Sequence, residues 1–164
     1  MNLHLAFQLF FAISGISWLL LIVFPRKRAI NFWLCGTIVP SVIGAFYTIL
    51  CAVYWFDAPG SFFDRFGSHR GMLSMFNSSE GLLLAGFVHY LAFDVFIGSW
   101  QARRATAAGW PYWLLFICLI VTLLFGPTGL LLFSVISLVR GQHVPEDEPI
   151  PRRAGYTSSS AVRP

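Results

Sequence analysis

The chain has 164 residues, 57% of them hydrophobic and only 11% charged, with a formal net charge of +4. Soluble domains carry about 25% charged residues, so this composition excludes one and calls for a bilayer as solvent. The basic surplus sits in short polar segments beside apolar runs, with no basic face of interleaved aromatics, which argues against nucleic acid and for contact with membrane lipid.

In chain order the apolar runs cover residues 3–24, 32–56, 80–100 and 110–138. Each is long enough for the roughly 20 residues that a helix needs to cross about 30 Å of hydrocarbon. None alternates with the two-residue period of a barrel strand. The reading is all-α: a polytopic membrane protein whose residues 1–140 form one bundle of four transmembrane helices. The first run is too long for a signal peptide, has no basic residue before it, and meets Pro25-Arg26-Lys27-Arg28 in place of a small-residue cleavage site. It is expected to remain a membrane helix. From Gly141 the sequence turns to prolines, mixed charge and serines, so residues 141–164 are expected to be a disordered tail.

Trp33, Trp55, Trp100, Trp110 and Trp113 fall near run ends, where amphipathic rings favour the headgroup layer. Four spans put Arg26, Lys27 and Arg28 on the same side as Arg103 and Arg104. The positive-inside rule makes that side cytoplasmic and both termini external, an N-out and C-out topology. Cys35, Cys51 and Cys118 lie inside apolar runs without metal-ligand spacing and are read as small buried hydrophobes.

The third run carries Glu80, His89 and Asp94, and ionisable groups at membrane depth point to function. His89 and Asp94 differ by about 140° around a helix and about 7.5 Å along it, too far apart to chelate one metal. Glu80 and Asp94 share a face within about 40° but differ by about 21 Å in depth. Glu80 also suits a capping box with Asn77 as N-cap. His89 follows Gly81 and Ala85 at the small-residue spacing that admits a neighbouring helix, which directs it into the bundle. There it is either a buried neutral histidine bonded to Ser, Thr or Tyr, or a working group. Asp94 has Gly98 one turn on, and either pairs with Arg103 or Arg104 or belongs to a site.

Pro127, flanked by Gly126 and Gly129, breaks the fourth run, with Thr122 and Thr128 beside it; the break is either a kink or a polar bend near a site. Pro40, Ser41, Gly44, Tyr47 and Thr48 form a second polar patch, in the second run. No phosphate loop, dinucleotide fingerprint, CxxC or HExxH occurs, so no cofactor and no metal are expected, leaving redox-neutral chemistry or binding.

The segment Met75-Phe76-Asn77-Ser78-Ser79-Glu80, continuing through Ala85, His89, Asp94 and Phe96, closely resembles the core motif of the plant abscisic-acid-deficient-four membrane proteins, the neoxanthin-synthesis family. Their pattern is approximately MFSSE, an apolar stretch, then H-L-x-x-D-L-F. Pro25 with its basic followers, Pro40 with Tyr47, and Pro127-Thr128-Gly129 extend the likeness over roughly residues 3–138. The chain lacks a plastid transit peptide and adds the Pro-rich tail, so it looks like a bacterial relative, expected in the inner membrane.

The resemblance implies carotenoid metabolism, with conversion of a xanthophyll epoxide to an allene and a hydroxyl as the reaction. An acid protonates the epoxide oxygen and a base removes a carbon-bound proton. Asp94 is the expected acid and His89 the base, or the reverse, with Glu80 orienting an end group or capping the helix. Tyr47, Thr48, Tyr90, Thr122 and Thr128 are candidate substrate contacts. The alternatives are a carotenoid or lipid binder, an accessory partner of a pigment enzyme, or a small transporter acting as a homo-oligomer. An apolar groove open to lipid favours carotenoid work, a water-filled channel favours transport, and a fully packed bundle favours scaffolding.

Overall fold

The computed structural model describes residues 2–140, so the expected tail over 141–164 lies outside the described residues. Among the described residues every regular element is helical. Three helices are long and apolar enough to cross a membrane: Leu3–Val23 (α1), Ala29–Asp57 and Glu80–Ala107 (α5).

Asn2 caps α1 by accepting from the Leu5 amide at 3.1 Å, and Pro25 follows its end, where a helix cannot continue. The Asn31 amide donates to Pro25 O at 2.7 Å and fixes the turn into the second span. That span begins as a π-helix, Ala29–Ile38, runs on as Val39–Tyr54 (α2), and closes with a 3-10 turn, Trp55–Asp57. At Gly36 a Cβ would strike Arg103, so the missing side chain admits the guanidinium between the two helices.

The central helix is α5, with buried residues from Leu84 and Val88 through Val95 and Gln101 to Ala105 and one exposed stripe of Leu83, His89, Tyr90, Phe93 and Phe96. Glycines let its neighbours approach: the Tyr54 ring lies against Gly81 and the Trp18 indole covers Gly98. Trp18, Leu21, Ile43, Leu50, Val88, Val95, Leu119 and Phe133 belong to one continuous core.

Two short helices, Phe62–Phe66 (α3) and His69–Ser78 (α4), connect the second span to α5. Ser61 and Asp64 form a capping box on α3. Ser79 caps α5 by accepting from the Leu82 amide at 3.3 Å. The expected cap at Asn77 is thereby corrected: Asn77 and Ser78 complete the last turn of α4, and Glu80 is the first residue of α5, exposed.

The fourth run departs furthest from expectation, forming two helices, Tyr112–Phe125 (α6) and Pro127–Val139 (α7), of 14 and 13 residues. At about 20 Å each, neither crosses about 30 Å of hydrocarbon. They fold back on each other: Phe133 stacks on Trp110 with centroids 4.8 Å apart, and the Arg140 guanidinium lies 5.7 Å from the same ring. A straight helix would separate residues 110 and 140 by about 45 Å. The turn is made by Gly126 at φ 41° and by Pro127, and Gly129 backs onto Thr122 so closely that a Cβ has no room. In place of a fourth span stands a re-entrant hairpin whose tip meets Tyr90 and Asp94 near the midpoint of α5.

The hairpin also corrects the topology. The Tyr112 hydroxyl donates to Ile22 O at 2.7 Å, so the hairpin base and the end of α1 share one end of the bundle. Arg28 and Arg103 approach the same Phe32 ring, at 5.9 and 5.6 Å. Arg26, Lys27, Arg28, Arg103, Arg104 and Arg140 thus gather at one end, while Asp57, Asp64, Arg65, Arg70 and Glu80 occupy the other. Residues 2 and 140 therefore stand at opposite ends, which overturns the shared side expected of the termini. By the positive-inside rule the end with Arg140 is expected to be cytoplasmic. A cysteine replacing Asn2 should react with an impermeant maleimide in intact cells, and one replacing Arg140 only after permeabilisation. Equal labelling of both would contradict this topology.

Candidate functional site

Two hollows of about 340 and 280 Å³ lie end to end along the seam between α2 and α5. The first is bounded by Gly36, Thr37, Pro40, Ser41 and Gly44 on one side and Ala92, Phe93 and Phe96 on the other. The second continues past Tyr47, Cys51 and Trp55 opposite Leu82, Ala85, Gly86 and His89, and is closed by Phe66, Met75 and Phe76 from the connecting helices. From Gly36 to Trp55 the seam is about 28 Å long, close to the thickness of the hydrocarbon core. Its walls are apolar, and it lies on the outside of the bundle, since Thr37, Ser41, Phe93 and Phe96 are exposed.

His89 lines the second hollow, one helical turn from Phe93 in the first. Its ring sits between Tyr47, at 5.3 Å between centroids, and Phe93, at 4.7 Å. The side chain is exposed to this groove, which corrects the expectation that it is buried inside the bundle. Gly81 and Ala85 do face α2, but a Cβ on Gly44 would meet nothing within 4 Å, so α2 leaves a gap one turn from Tyr47.

The closed end of the groove depends on Arg65, which is 6% exposed. Its guanidinium donates to Trp55 O at 2.7 Å, to Pro59 O at 3.3 Å and to Ala58 O, and lies over the Trp55 ring at 4.9 Å. This knot holds Trp55 and Phe66, whose rings stack at 6.2 Å, as the end wall. Two bonds from Ser61 hold the neighbouring Asp64 carboxyl below its ordinary range. The cap on α3 is therefore intact at neutral pH and lost only as pH falls through that depressed value.

Asp94 occupies a different face of α5. It is 4% exposed, its Oδ1 would lie 3.5 Å from a Cβ on Gly126, and the Tyr90 ring borders the same spot at 3.3 Å. Trp18 covers Gly98 one turn along. Among the described residues neither Asp94 Oδ1 nor Trp18 Nε1 has a partner at full hydrogen-bond geometry, although the Trp18 indole N–H neighbours the Asp94 carboxyl. Of the two alternatives for Asp94, the ion pair with Arg103 or Arg104 does not form: Arg103 donates to Ser99 Oγ at 2.6 Å and to Asn31 O at 3.3 Å, and Arg104 lies over Trp100 at 5.1 Å.

His89 and Asp94 are thus not brought together, whereas His89 and Tyr47 are. Glu80 lies about 13.5 Å along α5 from His89, at the loop end. The Thr48 hydroxyl donates to Gly44 O in its own helix at 2.9 Å, and Thr128 is exposed in the first turn of α7. Thr122 is buried, its hydroxyl 2.9 Å from Gln101 Oε1 and 2.8 Å from Cys118 O, which ties α6 to α5. Among the described residues no group of three His, Cys, Asp or Glu side chains is placed to hold a metal.

The pattern of the ABA DEFICIENT 4-like family matches residues 5–133, from the first turn of α1 to Phe133 in the hairpin. The chain belongs to that family. Comparison with curated proteins and with solved structures finds no match to either. In this ABA DEFICIENT 4-like chain the matched segment contains the groove, Asp94 and the hairpin tip together.

Sequence reading missed Cys51, Trp55, Phe66 and Phe76 as groove residues and Arg65 as the anchor of its end wall. One signal was available: Gly44, Tyr47, Cys51 and Trp55 recur at helical spacing, as do Ala85, His89 and Phe93. Arg65 gave none, because backbone carbonyls hold it. Replacing Arg65 by Met should cost about 2–4 kcal/mol, since three carbonyls lose a charged donor. A lowered melting temperature of the purified protein would register it.

Proposed function

We propose that this protein works on carotenoids in a bacterial inner membrane, holding a xanthophyll in the α2–α5 groove and opening an end-group epoxide without redox change. The observation that carries this reading is the pair of apolar hollows that follow one another along about 28 Å of the seam between the second span and α5, on the lipid-facing side, with the His89 imidazole on the wall of the second. A long rigid polyene suits such a channel; a small polar solute does not. Family membership and the neoxanthin-synthesis motif support the same substrate class.

In the reaction a proton is delivered to the epoxide oxygen and the C–O bond breaks. A base takes the proton from the adjacent chain carbon, and the freed electron pair completes the allene. No electrons leave the substrate, and one proton is taken up for each one lost. Acid and base must therefore serve the same end group, within a few ångströms of each other. His89 and Tyr47 meet that requirement within the groove, with His89 as the base and the Tyr47 phenol as the donor. Asp94 remains a candidate acid only for an end group that reaches the seam between α5 and the hairpin. A carotenoid binder without chemistry is the second reading, favoured by the stacking of His89 between two aromatic rings.

The test is expression in a bacterial host that makes epoxy-carotenoids, with pigments analysed by chromatography. Wild type should yield an allenic product, and His89→Ala and Tyr47→Phe should reduce it at least tenfold while Asp94→Asn retains it. Loss in Asp94→Asn alone would move the chemistry to the hairpin seam. Bound but unchanged pigment would leave the binder, and absence of both product and bound pigment would defeat the carotenoid reading.

A further inference from the structure

We propose that the hollow between the end of α1 and the start of α6 binds the headgroup of an anionic phospholipid. The hollow measures about 290 Å³ and is lined by Val23, Phe24, Pro25, Arg26, Lys27 and Tyr112. Its composition is divided as a phospholipid is divided. Val23, Phe24 and the Tyr112 ring offer an apolar wall that continues down the span, while Arg26 and Lys27 stand exposed at the rim. The Lys27 ammonium lies 4.9 Å from the centre of the Phe24 ring, so cation and acyl-facing surface adjoin. The hydroxyl of Tyr112 is already committed to Ile22 O, which fixes its ring as a wall of the hollow between α1 and the hairpin.

Charge decides the class of lipid. Arg26, Lys27, Arg28, Arg103, Arg104 and Arg140 share this end, and among the described residues no carboxylate does: Asp57, Asp64 and Glu80 lie at the opposite end and Asp94 at mid-depth. Six cations beside apolar surface attract an anionic headgroup, and the segment lies where headgroups meet acyl chains. The apolar wall distinguishes a lipid from free phosphate. A lipid seated here would join α1 to the hairpin across a contact that otherwise includes the Tyr112 bond. The inference does not depend on the carotenoid reading.

The test uses the full chain purified in a neutral detergent, with binding read by native mass spectrometry and by melting temperature. Phosphatidylglycerol should be retained and should raise the melting temperature by several degrees; phosphatidylcholine and inorganic phosphate should do neither. Arg26→Gln with Lys27→Gln should weaken phosphatidylglycerol binding at least tenfold and leave the melting temperature in phosphatidylcholine unchanged, while Arg70→Ala at the far end should change nothing. Equal binding of the two lipids, or undiminished binding by the double variant, would overturn the proposal. An effect of inorganic phosphate equal to that of the lipid would assign a free-anion site instead. Binding that appears only after Glu146, Asp147 and Glu148 are changed to Gln would give the hollow to the acidic segment of the chain.

Discussion

Hydrocarbon offers no partner to a backbone group that loses its helical hydrogen bond, and the interruption at Gly126 and Pro127 has to be covered by protein. The cover is α5. Its Tyr90 and Asp94 meet the hairpin tip, Gln101 is tied to Thr122 within the hairpin, and Trp100 packs edge-on against Phe133 at 5.4 Å. That one requirement explains why α5 is buried except along the stripe of Leu83, His89, Tyr90, Phe93 and Phe96, and why small residues recur along it. The same requirement brings Arg140 to the end that already holds Arg26, Lys27, Arg28, Arg103 and Arg104, because a hairpin returns to the side from which it entered.

With α5 in the middle, the polar groups of its sequence are divided between surroundings that do not communicate directly. His89 faces a groove shaped by α2, among aromatic rings and open to lipid. Asp94 faces α1 and the hairpin tip, enclosed, with the Trp18 indole N–H as a neighbour of its carboxyl. An exposed imidazole between rings can exchange protons with a ligand beside it. A carboxyl enclosed at the centre of a membrane is confined to whatever the hairpin admits. Residues five apart in one helix thus belong to different chemistry, and the direction of their side chains matters more than their closeness in sequence.

The membrane class, the all-helical fold and the first three spans were legible because length and composition determine them, and the family because the segment from Met75 through Glu80, His89 and Asp94 to Phe96 carries its motif. The break at Pro127 was legible too, but its angle was not. Sequence identifies a missing donor and a flexible neighbour; whether the chain bends or reverses depends on what lies against it, here Tyr90 and the backbone of Thr122. The cap of α5 was misplaced by two residues for a related reason. Asn77, Ser78 and Ser79 are all competent caps, and the extent of α4 selects among them. His89 escaped the core because Gly44 stands one turn from Tyr47 on another helix, and no single-helix wheel contains that fact.

The re-entrant hairpin bears on how the protein is put into a membrane. Neither α6 nor α7 is long enough to be held by lipid alone, so the pair has no stable place in a bilayer until something stands ready to receive it. The receiving surface is made by α1 and α5, both of which precede the hairpin in the chain. The seat of the hairpin thus exists only once the two helices that form it are in place. Asp94 owes its enclosure to that same docking, because the turn at Gly126 is what closes over its carboxyl.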